Sequence, residues 1–275
     1  MLKRRLNKSL KPLLRELERI HDLELERASL LYQRELSNPL NAFGRRVFSQ
    51  SDEDGITMEI LNRIGVDKGT YGEYGVGDGL ENNTLVLAAL GFRGFWCGTE
   101  ELAAPVPINP KFMYQKGWVT LEDVVNLARR GMAHLGAEEL DVVSMDLDGN
   151  DYYFVGALLE AEITPKVFIV EINTVFAPPI EFKIEYDPDH KWSGDSYYGA
   201  SLTSFWKLFS GHGYRLVCCN GETGANAYFV RRGFGDAFPD VPRELDEIWV
   251  PPRRFARHRY GHPPSPRVMA QILAG

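Results

Sequence analysis

The chain has 275 residues, 44% hydrophobic and 25% charged, the composition of an ordinary soluble protein with one sizeable α/β core. A net charge of −7 argues against a general nucleic-acid binder, which needs a basic surface. Three cysteines (Cys97, Cys218, Cys219) make no disulfide framework and no apolar run approaches bilayer length, so a cytoplasmic protein without a transmembrane segment is expected.

Charge is uneven, since residues 1–20 hold seven Lys/Arg against two Glu. In the same stretch Leu6, Leu10, Leu13, Leu17 and Ile20 recur at spacings of four and three, one stripe of a helix. Ser9 is a cap and Pro12 fits a first turn, so a helix is expected from about Ser9 to Glu35, within an extension over 1–48. Its stripe either packs on the body or joins two copies as a homo-oligomer.

Downstream, Ile56, Ile60 and Ile64 mark a helix over Gly55–Ile64, and Tyr71–Val76 reads as the first strand. Asn83 is placed to cap a helix over Thr84–Leu90, which Gly91 ends. Gly94–Glu100 is a second strand, and Leu102–Gly117, with three prolines, reads as loop. A helix starts at Thr120. Leu140–Asp146 and Lys166–Glu171 are buried-type strands on either side of a helix ending near Ala161. Ala200–Phe209 is helical, and Tyr214–Cys219 and Ala227–Arg231 form a terminal hairpin. The alternation predicts an α/β fold, an open, doubly wound, mostly parallel sheet with one antiparallel strand near the C-terminus. The catalytic body is expected over 49–232, followed by a basic, proline-rich tail over 233–275.

The chain is organised around Tyr71-Gly72-Glu73-Tyr74-Gly75-Val76-Gly77-Asp78-Gly79. Glycines at alternate positions between a strand and a helix let backbone turn sharply and lie against a ligand. The dinucleotide pattern G-x-G-x-x-G fails, because its third glycine falls on Leu80, which disfavours a nicotinamide oxidoreductase. A phosphate-cradling Gly-Lys-Ser/Thr is absent too. Glu73-x-Gly75-x-Gly77-x-Gly79 instead resembles the first motif of S-adenosylmethionine-dependent methyltransferases, of the class I, Rossmann-like fold. That resemblance implies a seven-stranded sheet, S-adenosylmethionine as cofactor, and Glu73, Gly75, Gly77 and Gly79 as its binding residues. Glu100, at the end of the second strand, is placed to accept both ribose hydroxyls; Glu101 beside it is the alternative.

Ser49-Gln50-Ser51-Asp52-Glu53-Asp54-Gly55, Asp146-Leu147-Asp148-Gly149-Asn150-Asp151, and Gly213–Leu216 with Asn226–Val230 narrow the resemblance. They are similar to FkbM-type methyltransferases, mostly O-methyltransferases of sugars and natural products. The similarity runs from about Ser49 to Arg232, and the more usual Asp-Val-Glu-Gly is here Asp146-Leu147-Asp148-Gly149. It implies a small hydroxylated acceptor. A hydroxyl must lose its proton to attack, so a base or a metal is needed. Asp146 and Asp148 at one strand end, and His190 in the polar loop 187–198, are the catalytic candidates. Asp146, Glu171 and Asn173 form an oxygen set suited to Mg²⁺. This set is similar to that of metal-dependent small-molecule O-methyltransferases, from whose adjacent Asp-Asn pair Glu171-Ile172-Asn173 departs. A binding or scaffolding protein that kept this fold without turnover is the alternative.

Overall fold

A computed structural model describes residues 10–17, 19–21, 23, 24, 27, 31, 35–106 and 109–252. Strands β1 (Thr70–Tyr74), β2 (Arg93–Gly98), β3 (Phe112–Lys116), β4 (Val142–Met145), β5 (Val167–Glu171), β6 (Tyr214–Cys219) and β7 (Asn226–Arg231) form one seven-stranded sheet in the order 3-2-1-4-5-7-6. Adjacent pairs among the first five strands are parallel, and β7 runs antiparallel to both β5 and β6. The expected sheet with a single reversed strand is therefore present. It is the open, doubly wound sheet of the class I methyltransferase fold.

Helices α1 (Glu53–Arg63), α2 (Leu85–Ala89), α3 (Val124–Leu135), α4 (Asp151–Glu160), α5 (Leu202–Gly211) and α6 (Leu245–Ile248) complete the fold. Successive strand side chains point to opposite faces, and both faces are covered. Tyr74, Phe95, Val143, Met145, Phe168 and Val170 pack with α3, α4 and α5, whereas Tyr71, Trp96, Val142 and Ile169 pack with α1 and α2. Burial on both faces explains the near-continuous apolar runs of β4 and β5.

Three expectations change. The loop expected over Leu102–Gly117 contains β3, an edge strand whose Met113, Tyr114 and Gln115 pair with Phe95, Trp96 and Cys97. Its flanking prolines and its Gln and Lys hide the strand pattern, because an edge strand needs little apolar surface. The body also exceeds 49–232. Leu40 is fully buried, and Asn38 and Asn41 donate to the carbonyls of Val217 (2.7 Å) and Cys219 (2.8 Å). On the other side Phe238, Val241, Ile248 and Val250 enter the core. Of the tail, residues 253–275 lie outside the described residues. The expected N-terminal helix is helical at its described positions within 10–31, the rest lying outside, and Leu13, Leu17 and Ile20 there are exposed. Among the described residues no helix is long and apolar enough to cross a membrane.

Strand order reverses between β1 and β4, the point where open α/β sheets hold ligands at the carboxyl ends of their strands. The loops leaving β1, β2, β4 and β5 meet there.

Candidate active site

The glycine turn leaves β1 and stands directly on the loop after β4. Gly75, at φ 90°, donates its N–H to the Cys97 carbonyl (2.9 Å), and a Cβ there would lie 1.5 Å from the Asp146 carbonyl oxygen. Gly77, at φ 53°, has nothing within 4 Å of where a Cβ would project. Its alternate glycines thus serve different ends: Gly75 permits close packing of backbone on backbone, and Gly77 keeps a space open. Gly79, also left-handed at φ 86°, closes the turn by donating to the Val76 carbonyl (2.8 Å).

Glu73 is buried beneath this turn. One carboxylate oxygen accepts the Asn83 N–H (2.8 Å); the other accepts the Thr84 N–H (3.0 Å) and the Thr84 hydroxyl. Trp96 Nε1 in turn donates to Thr84 Oγ1 (2.8 Å). The acid therefore satisfies the free N–H groups at the start of α2, a task expected of the Asn83 side chain. That side chain instead donates to Ser144 Oγ (3.2 Å) and Asn226 Oδ1 (3.4 Å). Burial pushes the Glu73 carboxyl up to about 7 against these donors, so it shapes the loop from below. Sequence reasoning did not single out Asn82, in the same loop. It is 6% exposed, and neither amide atom has a partner among the described residues. The orphaned amide is the signal, and no sequence pattern carries it.

Glu100 is exposed past the end of β2. Its carbonyl accepts the Tyr114 hydroxyl (2.6 Å), and its carboxylate has no hydrogen bond among the described residues. Glu101 is ion-paired with Lys116. Of the two acids proposed for the ribose, Glu100 is the one left open.

On the other side of the crevice, Asp146, Asp148 and Glu171 bring carboxylate oxygens within 4.8 Å of one another. Burial raises Asp146 and Glu171 well above the ordinary carboxylate range; the Asp148 charge raises Asp146 further, and the Asp146 charge raises Glu171. Glu171 Oε2 is enclosed and has no hydrogen-bond partner among the described residues. Burial also lifts Asp148, and the adjoining His190 pulls it back. Asp148 stands at φ 55°, a left-handed turn held from below by Asp151, whose carboxylate accepts the N–H groups of Leu147 (2.7 Å) and Gly149 (2.9 Å).

Of the expected ligands, Asn173 is the one engaged by backbone. Asn173 is wholly buried and its amide is engaged by backbone: Nδ2 donates to the carbonyls of Ser196 (2.9 Å) and Tyr198 (2.8 Å), and Oδ1 accepts the Val175 N–H (3.1 Å). It fastens the loop over the site, while Asp148 lies with Asp146 and Glu171 in the carboxylate cluster. His190 belongs to this centre as well. It is buried, its ring lies where a Gly149 Cβ would come within 2.4 Å of Cδ2, and its loop is tied down by Asn150 Nδ2 donating to the Asp187 carbonyl (2.7 Å). A glycine at 149 is what lets the imidazole approach.

A polar network behind the cluster was also missed. Glu53, at the start of α1, accepts from Ser51 Oγ (2.7 Å), Asn220 Nδ2 (3.2 Å) and Asn226 Nδ2 (3.2 Å), and Asn226 pairs in register with Glu171. Asp52 accepts the N–H groups of Gly221 (2.9 Å) and Glu222 (3.0 Å). The polar run Ser49–Asp54 is buried apart from the exposed Gln50, with Ser51, Asp52 and Glu53 against the β6–β7 turn. Every acid in it faces a donor, the condition for burying such groups.

No family model matches the chain, and no curated protein matches it. Among solved structures, a candidate hemolysin from Lactococcus lactis aligns with a TM-score of 0.41 at 11% identity, over 68% of this chain and 91% of that one. MycE methyltransferase of the mycinamycin biosynthetic pathway, solved with Mg, SAH and mycinamycin VI, aligns at 0.39 and 16%, over 63% and 48%. A precorrin-6y C5,15-methyltransferase from Geobacter metallireducens aligns at 0.35 and 11%, over 68% and 90%. At such scores these likenesses carry no argument about activity. The strand order, read directly, is that of the class I methyltransferase sheet, and the case for a function rests on the site.

Proposed function

We propose that the chain is an S-adenosylmethionine-dependent O-methyltransferase acting on a small polyol- or sugar-like acceptor. One observation carries this reading: the glycine turn and the carboxylate cluster share a wall, with Gly75 packed on the Asp146 carbonyl. A ligand lying on Gly77 is thereby adjacent to Asp146, Asp148 and Glu171.

The residues present fit the cofactor. The open space over Gly77 suits a methionyl chain lying on backbone, Asn82 has an unmatched amide for its polar end, and Glu100 has an open carboxylate for ribose hydroxyls. An acidic crevice tolerates a cationic sulfonium and disfavours phosphates. When bound, S-adenosylmethionine supplies an electrophilic methyl group. The chain's own part is positioning and proton removal. Asp148, the most exposed acid of the cluster, takes the acceptor's hydroxyl proton, and His190 beside it stabilises the ionised carboxylate. Asp146 and Glu171 form the floor.

The same three carboxylates fit a divalent cation, because an all-oxygen donor set with an unpartnered Glu171 Oε2 suits Mg²⁺. Asp146, Asp148 and Glu171 would hold it, and it would polarise the acceptor hydroxyl there. We assign the chain to an FkbM-like branch, supported by the docking of Ser51, Asp52 and Glu53 on Asn220 and Asn226, which joins two of the three segments carrying that resemblance. Cytoplasmic localisation and self-association through the exposed Leu13–Leu17–Ile20 stripe are further parts of this reading.

The test is methyl transfer from labelled S-adenosylmethionine to a panel of polyols and sugars, with Mg²⁺ or with EDTA. Product formation that Asp148→Asn slows by about a hundredfold is expected, the usual scale for losing a general base. A variant that transfers methyl at the full rate removes Asp148 from the mechanism. Cofactor binding without turnover on any acceptor supports the scaffolding alternative.

A further inference from the structure

At the opposite, amino-terminal end of β6 lies a second cavity, of about 330 Å³, lined by Arg215, Arg232 and Arg243 together with Trp206, Ser210 and Asp236. None of these three guanidinium groups is ion-paired among the described residues. Arg215 is half-buried, and its protein acceptors are neutral: the carbonyls of Gly235 (3.1 Å) and Phe238 (3.1 Å) from Nη1, and of Val241 (2.9 Å) from Nη2. Its Nε–H and one Nη2–H have no hydrogen-bond acceptor among the described residues. Arg232 donates to another carbonyl, that of Ser210 (3.2 Å). The neighbouring Asp240, which could have neutralised Arg215, is bonded to Arg63 at 2.7 Å.

A half-buried cation normally has an anion beside it, because desolvation is otherwise uncompensated. Here burial and the nearby Arg243 both push the Arg215 guanidinium down, and Asp240, already bonded to Arg63, offsets them only in part. The one acid in the lining, Asp236, is exposed and answers three positive charges. Guanidinium forks match the oxygens of a phosphate group, which accepts two parallel hydrogen bonds from one Arg. Trp206, 37% exposed on the same wall, offers an aromatic face beside those forks. We infer that this cavity binds a small phosphorylated molecule carrying a flat ring, with the phosphate on Arg215, Arg232 and Arg243 and the ring against Trp206. The site stands apart from the methyl-transfer crevice, and its test does not depend on that reading.

The experiment is calorimetric titration of the full chain with phenyl phosphate and, separately, with inorganic phosphate, at low ionic strength. Arg243 is exposed and makes no internal hydrogen bond among the described residues, so Arg243→Glu should leave the melting temperature unchanged. Saturable 1:1 binding of phenyl phosphate is expected, weakened about tenfold or more by Arg243→Glu. Trp206→Ala should cut phenyl phosphate binding to the level of inorganic phosphate and leave the latter untouched. No saturable heat with either probe up to about 10 mM, or equal affinity in the folded Arg243→Glu protein, would overturn the assignment.

Discussion

The two halves of the crevice are built by different means. The cofactor half is made of backbone: three left-handed glycines, one packed on a carbonyl and one facing open space, fastened from below by the buried Glu73. The acceptor half is made of side chains, with Asp146, Asp148, Glu171 and His190 brought together from two strand ends and a loop far apart in sequence. A backbone site is sensitive to added atoms, and a side-chain site to changed charge. Each kind of change should therefore act on one half and spare the other.

The largest effect should come from Gly75→Ala. Its Cβ would meet the Asp146 carbonyl in a left-handed backbone, so stability should fall by about 4 kcal/mol, read by chemical denaturation. A melting curve like that of the native chain would show that the turn does not rest on the β4 loop. On the acceptor side Asn173→Ala removes three buried hydrogen bonds to backbone and should cost about 3 kcal/mol while leaving the response to Mg²⁺ unchanged. Asp148→Asn should do the reverse, weakening the thermal shift produced by Mg²⁺ on the order of tenfold with little loss of stability. Loss of the Mg²⁺ response in Asn173→Ala, with the response kept in Asp148→Asn, would restore the ligand set expected from sequence.

A subtler separation uses pH. The buried Glu73 carboxyl, raised from 4.5 to about 7, binds its proton more tightly in the folded chain than in the unfolded one. Its contribution to stability is full below pH 4.5 and is lost as pH rises through about 7. Glu73→Gln cannot titrate, so the fall in melting temperature across that window should be shallower than in the native chain. An unchanged slope would mean that Glu73 is not the group responsible. The smallest structural effect should come from Gly77→Ala, which meets open space and costs about 1 kcal/mol of left-handed strain, with cofactor affinity dropping about tenfold.

The same contrast explains what was legible in the sequence. A glycine constraint is local, so Gly75, Gly77 and Gly79 could be read from their spacing, and the mostly parallel sheet from alternating apolar runs. The carboxylate cluster could be read only in part. Asp146, Asp148 and Glu171 follow from sitting at strand ends, whereas the tying of the Asn173 amide to backbone depends on where the 196–198 loop returns. His190 was visible as a loop histidine, but its burial rests on the missing Cβ of Gly149, 41 residues earlier by number. Edge strand β3 and the buried Ser49–Asp54 network were hidden for a related reason. The first is too polar for its pattern to show, and the second is a polar run whose distant donors come from the β6–β7 turn and from Asn226.

The central claim is that the crevice above Gly77 takes a sulfonium cofactor and not a dinucleotide. Isothermal titration of the full chain with S-adenosylmethionine and, in parallel, with NAD tests it most directly. One saturable site for S-adenosylmethionine and no heat with NAD is the predicted result; binding of NAD without S-adenosylmethionine would contradict it.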